Sequence, residues 1–277
     1  MQVVGNWQQA QKQQMKNLVK EASEFIFGKT GFSGKTAIIL GSGLGAFTDP
    51  IIDKQTIPYA SIPDYPQPTV AGHAGELVTG IIHGRSILVA KGRFHCYEGH
   101  SIETVNLPIR VFHALGVQNL IITNSAGSMN KENVPGTLMV IEGHIDFTFR
   151  DSAADPELIR SDKFHSRDLI SIARKTANEQ KINLSFGNYC WALGPAYETP
   201  AEIQYFQSMN GDAIGMSTVP EIREAGKLGM RILTISTLTN FAAGITKNPL
   251  THDEVMEYAD KARNDFIGLI SGIIEKL

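Results

Sequence analysis

The chain has 277 residues, 42% hydrophobic and 19% charged, which is the makeup of a globular protein with a sizeable core and not of a disordered or fibrous chain. A net charge of −3 leaves no basic excess to grip a nucleic-acid backbone, although a few Arg, Ser and backbone N–H groups in a pocket hold one small anion whatever the net charge. Two cysteines, no run of 18 apolar residues and an N-terminus (MQVVGNWQQAQKQQMK) without the basic-then-apolar order of a secretory leader argue against a disulfide scaffold, a membrane span and export, so the expected location is the cytoplasm.

Residues from about Gln8 to Ile26 have the apolar spacing of an amphipathic helix. Lys35 to Leu40 reads as a short buried strand stopped by GSGLG, and the proline-crowded Pro58 to Pro68 as an extended loop. Glu76 to Ile82 and Ser86 to Lys91 are expected to pair through a turn at His83-Gly84-Arg85. A helix over Ser101 to Leu115 carries Pro108 inside it or at a break. Strands follow at Leu120 to Thr123 and Thr137 to Ile141, then a polar stretch to about Ser166 that gives no clear pattern. Helices at Arg167–Glu179, Pro200–Met209, Val219–Leu228 and Asp253–Glu275 alternate with strands at Asn188–Ala192, Ala213–Gly215 and Ile232–Leu238. Such alternation predicts a sheet with helices on its faces, and the absence of a linker or repeat predicts one domain over residues 1–277.

GSGLG, KGRFH, NSAG, GPAYET, GMST and TN each follow a short apolar run, and ligands of open α/β sheets bind at the carboxyl ends of strands. Taken singly these tips leave the function open. GSGLGA approaches the dinucleotide fingerprint, but IPYASIPDYPQP follows it where a helix and an acid-tipped strand are required. A glycine turn cradling one anion with Ser42 fits better, and a tight turn without ligand is the alternative. Arg93 and His95, two apart, would point the same way on an extended chain and suit a phosphate, or be an ordinary surface Arg and loop His. His73 between glycines reads first as a loop histidine bonded to backbone and Met216 as a core residue, and His252 at a helix start, Glu198 ahead of an N-cap at Thr199 and Asn240 at a strand end have structural readings as well. No cysteine–histidine spacing suggests a metal site. GMSTV lacks the final glycine of a nucleophile elbow.

Together and in order, GSGLG, TVAGHAGELV, KGRFHCYEG, VFHALGV, TNSAG, GPAYETPAEI, GDAIGMSTVPE and TLTN resemble the trimeric purine nucleoside phosphorylases, from about Lys35 to the C-terminus. The resemblance implies an α/β fold with a central mixed sheet partly closed into a barrel and flanked by helices. It also implies a homotrimer acting on a purine nucleoside and inorganic phosphate, without cofactor, metal, nucleic acid or membrane. By motif, Ser42, His73, Arg93, His95, Ser125 and Ser217 would bind phosphate. Tyr97 and Met216 would contact the ribose and His252 its 5′-hydroxyl. Glu198 and Asn240 would hold the base, with Tyr197 packed on it, and Asn240, Glu198 and His95 would carry the chemistry. Glu98 would orient the phosphate-binding groups from behind. Glu198, which can accept from N1–H of a 6-oxopurine, implies inosine and guanosine as substrates, and Asn240, where methylthioadenosine phosphorylases carry Asp, places that activity second. Phosphorolysis of xanthosine or methylthioadenosine, or a non-catalytic nucleoside-binding protein, are the alternatives. Ser125 stands where the family has Ala, and the segment after His144, from which the family often lends an aromatic residue to a neighbouring subunit, is short and offers Phe164 instead.

Overall fold

A computed structural model describes residues 2–70, 72–150, 154–246 and 252–277, with side chains except those of residues 2–8, 11 and 252–256. Nine strands form one mixed sheet. Strand β1 (Thr36–Ile39) lies at the centre of its first half, parallel to β4 (Arg85–Lys91) and β5 (Asn119–Ser128), while β2 (Ile52–Pro58) and β3 (Glu76–Ile82) extend the edge in antiparallel register. In the other half β5 pairs with β8 (Ala213–Gly215), β8 with β7 (Leu184–Trp191), β7 with β6 (Leu138–Asp146), and β6 with β9 (Arg231–Phe241). Strand β9 then pairs back with β5, closing a five-stranded barrel.

Alternate residues of the central strands feed two cores, as the period of two requires. Ala37, Ile39, Leu88, Ala90, Leu120 and Ile122 pack under α1 (Gln2–Thr30), α3 (Leu107–Ala114) and α6 (Val219–Lys227). Ile38, Val89, Ile121, Val140 and Leu233 pack under α4 (Arg167–Gln180) and α8 (Arg263–Glu275). A smaller cluster of Met129, Ile145, Phe147, Ile203, Phe206 and Ile214 seats α5 (Pro200–Ser208). Each fully buried Val, Leu or Ile among them contributes about 1.5–3 kcal/mol, so the sheet is held from both faces and its tips are fixed relative to one another.

Several expectations change in detail. The first helix extends past both ends of 8–26. The helix expected over Ser101 to Leu115 breaks at Asn106 into α2 (Ile102–Val105) and α3, with Pro108 in the first turn of the latter where its missing N–H costs nothing. The last helix breaks at Ala262 into α7 (His252–Lys261) and α8. Strand β2 went unpredicted because its edge position leaves all but Ile57 exposed and so erases the alternation. The main correction concerns β5 and β9. Both run on through residues expected to be loops, because they pair with each other as far as Ser128 and Phe241 across a register shift at Ala126/Gly127. Asn124, Ser125 and Asn240 are therefore strand residues, fixed by a ladder.

Candidate active site

One cleft of ≈ 870 Å³, mouth included, opens where the carboxyl ends of β1, β4, β5, β8 and β9 meet. Ser42, His73, Arg93, His95 and Ser217 line one end with Asn124 and Ser125. Tyr197, Glu198, Met216 and Asn240 line it too, with Tyr97. Glu98 stands behind His95. His252 opens α7, and its side chain lies outside the described residues.

The turn after β1 comes close to β5. A Cβ on Gly41 would sit 2.6 Å from Cα of Asn124, so only glycine allows the approach. Ser42 Oγ lies 3.3 Å from Nε2 of His73. The Ser125 hydroxyl donates to the Ser42 carbonyl at 2.9 Å, which spends its proton inside the protein and leaves only oxygen lone pairs of that side chain for a ligand.

Gly92, at φ 139, carries the chain out of β4 past His73 and delivers Arg93. That side chain is 1% exposed, a large cost unless the charge is paired and hydrogen-bonded. Its Nη1 donates to Ser217 Oγ at 3.0 Å and Thr218 Oγ1 at 3.1 Å, and its Nε lies 3.4 Å from Oε1 of the equally buried Glu221. Burial raises the Glu221 pKa and Arg93 opposes the rise. Nη2 is buried and without a partner, the donor left for an anion in the cleft.

His95 donates from its backbone N and from Nδ1 to Glu98 Oε1, both at 2.8 Å, while Glu98 Oε2 accepts from N and Oγ1 of Thr69 at 2.7 and 2.6 Å. Burial alone would raise the Glu98 pKa, but these four bonds outweigh it and hold the carboxyl at about 2. Burial lowers the pKa of His95 despite the Glu98 bond. A neutral His95 with its proton on Nδ1 offers Nε2 as an acceptor. Burial, helped by Arg93 and His95, brings His73 down to about 3. The Tyr97 ring stacks on His95 at 4.7 Å between centroids.

The other residues of the cleft are less tied. Asn240 Oδ1 accepts from Thr239 Oγ1 at 3.0 Å and Nδ2 donates to the Phe241 carbonyl at 3.1 Å, leaving one amide hydrogen free. Glu198 Oε1 is buried with no partner, and burial raises its pKa. Tyr197 is half exposed. Phe164 packs edge-on against His144 of its own chain and against Gly226 of α6.

Sequence reading missed Asn124, Thr218, Glu221 and Thr69. The first two adjoin named residues in NSAG and GMST and carried no separate signal. Glu221 read as a helix residue. Thr69 sits in a proline-rich loop whose path no periodicity records.

The family model described as Phosphorylase superfamily matches residues 35–275. Purine nucleoside phosphorylase 1 of Bacillus subtilis (strain 168) is 44% identical over 267 residues, covering 94% of this chain and 98% of the relative. The crystal structure of Schistosoma mansoni purine nucleoside phosphorylase in complex with inosine superposes with a TM-score of 0.84 at 33% identity, over 94% of this chain and 96% of that one. A Schistosoma purine nucleoside phosphorylase in complex with guanosine superposes at 0.83, also 33% identical, over 94% and 97%.

Proposed function

Because the chain belongs to the phosphorylase superfamily and, within it, to the purine nucleoside phosphorylases, we propose that it splits 6-oxopurine ribonucleosides and deoxyribonucleosides such as inosine and guanosine. It is a pentosyltransferase enzyme, and the products are the free base and (deoxy)ribose 1-phosphate. The observation that carries the base preference is a buried, unpartnered carboxylate oxygen of Glu198 in the same cleft as the unpartnered Nη2 of Arg93.

Inorganic phosphate is the second substrate and no cofactor takes part. Phosphate is an anion at neutral pH, so no base is needed to activate it, and the site has only to position it and stabilise separating charge. Arg93 Nη2, Ser42, His73 and Ser217 hold the anion, with Ser125 beside it. The neutral His95 accepts the one P–OH of hydrogen phosphate at Nε2. A phosphate oxygen forms its bond to C1′ as the C1′–N9 bond breaks. The bonding pair leaves with the purine, which takes up a proton. Tyr97 and Met216 face the ribose and Tyr197 packs on the base. His252 is assigned to the 5′-hydroxyl. The free amide hydrogen of Asn240 meets N7 as charge builds on the ring. Glu198 accepts N1–H of a 6-oxopurine, whereas a 6-aminopurine presents an acceptor there and leaves two buried acceptors facing each other. Assembly as a homotrimer and residence in the cytoplasm, where the free thiols of Cys96 and Cys190 would stay reduced, belong to the same reading.

The test is chromatography of products from inosine, guanosine, xanthosine and adenosine, each with and without phosphate. Base and ribose 1-phosphate that form only with phosphate, fastest from inosine or guanosine, are expected. Free ribose at an equal rate without phosphate would mean a hydrolase and would remove the roles given to Arg93 and His95.

A further inference from the structure

Thr218 has a backbone that its residue type disfavours. It is a buried, β-branched residue at φ 80, ψ −47. The N–H of Val219 donates to the carbonyl of Ser217 at 2.9 Å, so residues 217–219 form a γ-turn of the rare positive-φ kind. Strain of this sort persists only where the surroundings over-determine it, and it gathers at functional sites.

The position forgoes a second advantage. Thr218 is the N-cap of α6, where a threonine hydroxyl ordinarily accepts from the first turn, yet it makes no such bond. Its hydroxyl turns the other way. Arg93 Nη1 donates to Thr218 Oγ1 at 3.1 Å and Asn124 Nδ2 donates to it at 3.0 Å. Two donors fill the two acceptor positions of a hydroxyl, so the Thr218 proton goes to Ser217 Oγ, 3.0 Å away. Ser217 Oγ then accepts from both Thr218 and Arg93, and its own proton is left for the neighbouring Tyr189 hydroxyl or for an anion in the cleft. The same bonds occupy Nη1 of Arg93 and set Glu221 beside Nε, so the guanidinium cannot rotate without losing partners and Nη2 stays unpaired beside the cleft.

We propose that Thr218 is a positioning residue for phosphate: its strained turn and its hydroxyl lock the Arg93 guanidinium and fill the acceptor positions of Ser217, so that Arg93 presents its free donor to the anion before it arrives. This rests on the phosphate-dependent reaction given above, and Thr218 itself need not touch substrate. A merely structural threonine would be replaceable by an isosteric residue, and its loss would weaken both substrates alike.

The experiment compares Thr218→Val, Thr218→Ser and Thr218→Gly with the wild-type enzyme, measuring KM for inorganic phosphate at saturating inosine, KM for inosine at saturating phosphate, and Tm. Thr218→Val keeps the shape and removes the hydroxyl. It is expected to raise the phosphate KM by about 10- to 100-fold, the effect of losing a hydrogen bond to a charged group, with the inosine KM within about twofold. Thr218→Ser restores the hydroxyl and returns the phosphate KM to within about threefold of wild type. Should the valine variant fail to fold, Thr218→Gly suits φ 80 without strain and is expected to fold while showing the same selective rise. A phosphate KM unchanged in the valine or glycine variant, an equal rise in both KM values, or a serine variant as impaired as the valine one would each overturn the proposal. Wild-type enzyme that forms no product with phosphate would overturn the reaction itself and the proposal with it. An active wild type beside unaffected variants would overturn the proposal alone.

Discussion

The two groups of cleft residues proposed above to hold the anion and the base, here the anion end and the base end, are built on opposite plans. At the anion end the charged side chains are tied to other protein groups before any ligand arrives, Arg93 to Ser217, Thr218 and Glu221, His95 to Glu98, and Glu98 to Thr69, while Nη2 of Arg93 stays unpaired. At the base end Glu198 Oε1 is buried with no partner, Asn240 keeps a free amide hydrogen, and Tyr197 is half exposed. The first end meets its organisation cost on folding and offers a fixed set of donors. The second leaves an acceptor unsatisfied until a ligand with a matching N–H fills the gap. Rigid donors suit an invariant co-substrate such as phosphate. An unsatisfied acceptor suits discrimination among purines that differ by one hydrogen.

The largest effect is expected where the anion end is broken outright. Arg93→Met removes the free donor and strands Glu221 as a buried, unpaired carboxylate. Phosphate-dependent kcat/KM is expected to fall by about 1000-fold or more, with a stability loss of about 3–5 kcal/mol by chemical denaturation. Adding Glu221→Leu should recover most of the stability and none of the activity, since an apolar pair in place of a buried ion pair is often neutral. A double variant that regains activity would show that the guanidinium acts on folding and not on phosphate.

The base end is tested by Glu198→Gln. The kcat/KM for inosine is expected to fall by about 100-fold while that for adenosine changes by less than about tenfold, because the amide can donate to the bare N1 of adenosine. The KM for phosphate should stay within about twofold, which keeps the two ends separate. Equal losses with both nucleosides would end the specificity role of Glu198.

Both ends were legible in sequence to a similar degree. Ser42, Arg93, His95 and Ser217 at one and Glu198 and Asn240 at the other sit in short tips after apolar runs, which an α/β sheet brings together, whereas His73 in AGHAG precedes its strand. What sequence could not reveal at the anion end was the support: Thr218 and Glu221 lie 125 and 128 positions from Arg93, a proximity that only the closed barrel produces. Local polarity puts Asn240 at the end of its strand and Ser125 beyond the end of its own, whereas cross-strand pairing of β5 with β9 carries both strands further. The proton spent by Ser125 on the Ser42 carbonyl had no sequence signal either, since a hydroxyl's direction is set by what surrounds it.

The smallest effect is expected one step behind the cleft. The Glu98 carboxylate accepts two bonds on each oxygen, from His95 and from Thr69. Glu98→Gln puts an NH₂ where one oxygen was, so one pair of donors loses its acceptor. Phosphate kcat/KM is expected to fall by about tenfold through a loosened His95. The pH dependence of stability identifies the cause. A carboxyl held at about 2 against its ordinary 4.5 stabilises the fold fully above pH 4.5, and the stabilisation is lost as pH falls toward 2. His73, held at about 3, and His165, held at about 4, act in the same direction at acid pH, because the unfolded chain binds their protons first as pH drops below 6.5. The His165 loss is common to wild type and variant and cancels in the difference. The Glu98 charge raises the pKa of His73 and of His95, so their losses run deeper in the variant and work against the closing of the gap at the acid end. The gap in Tm between the two proteins should still be largest near neutrality, hold down to about pH 4.5 and narrow toward pH 2. A gap that stays constant across that range would mean that Glu98 contributes shape and not charge, and the anion end would then owe its rigidity to the Arg93 network alone.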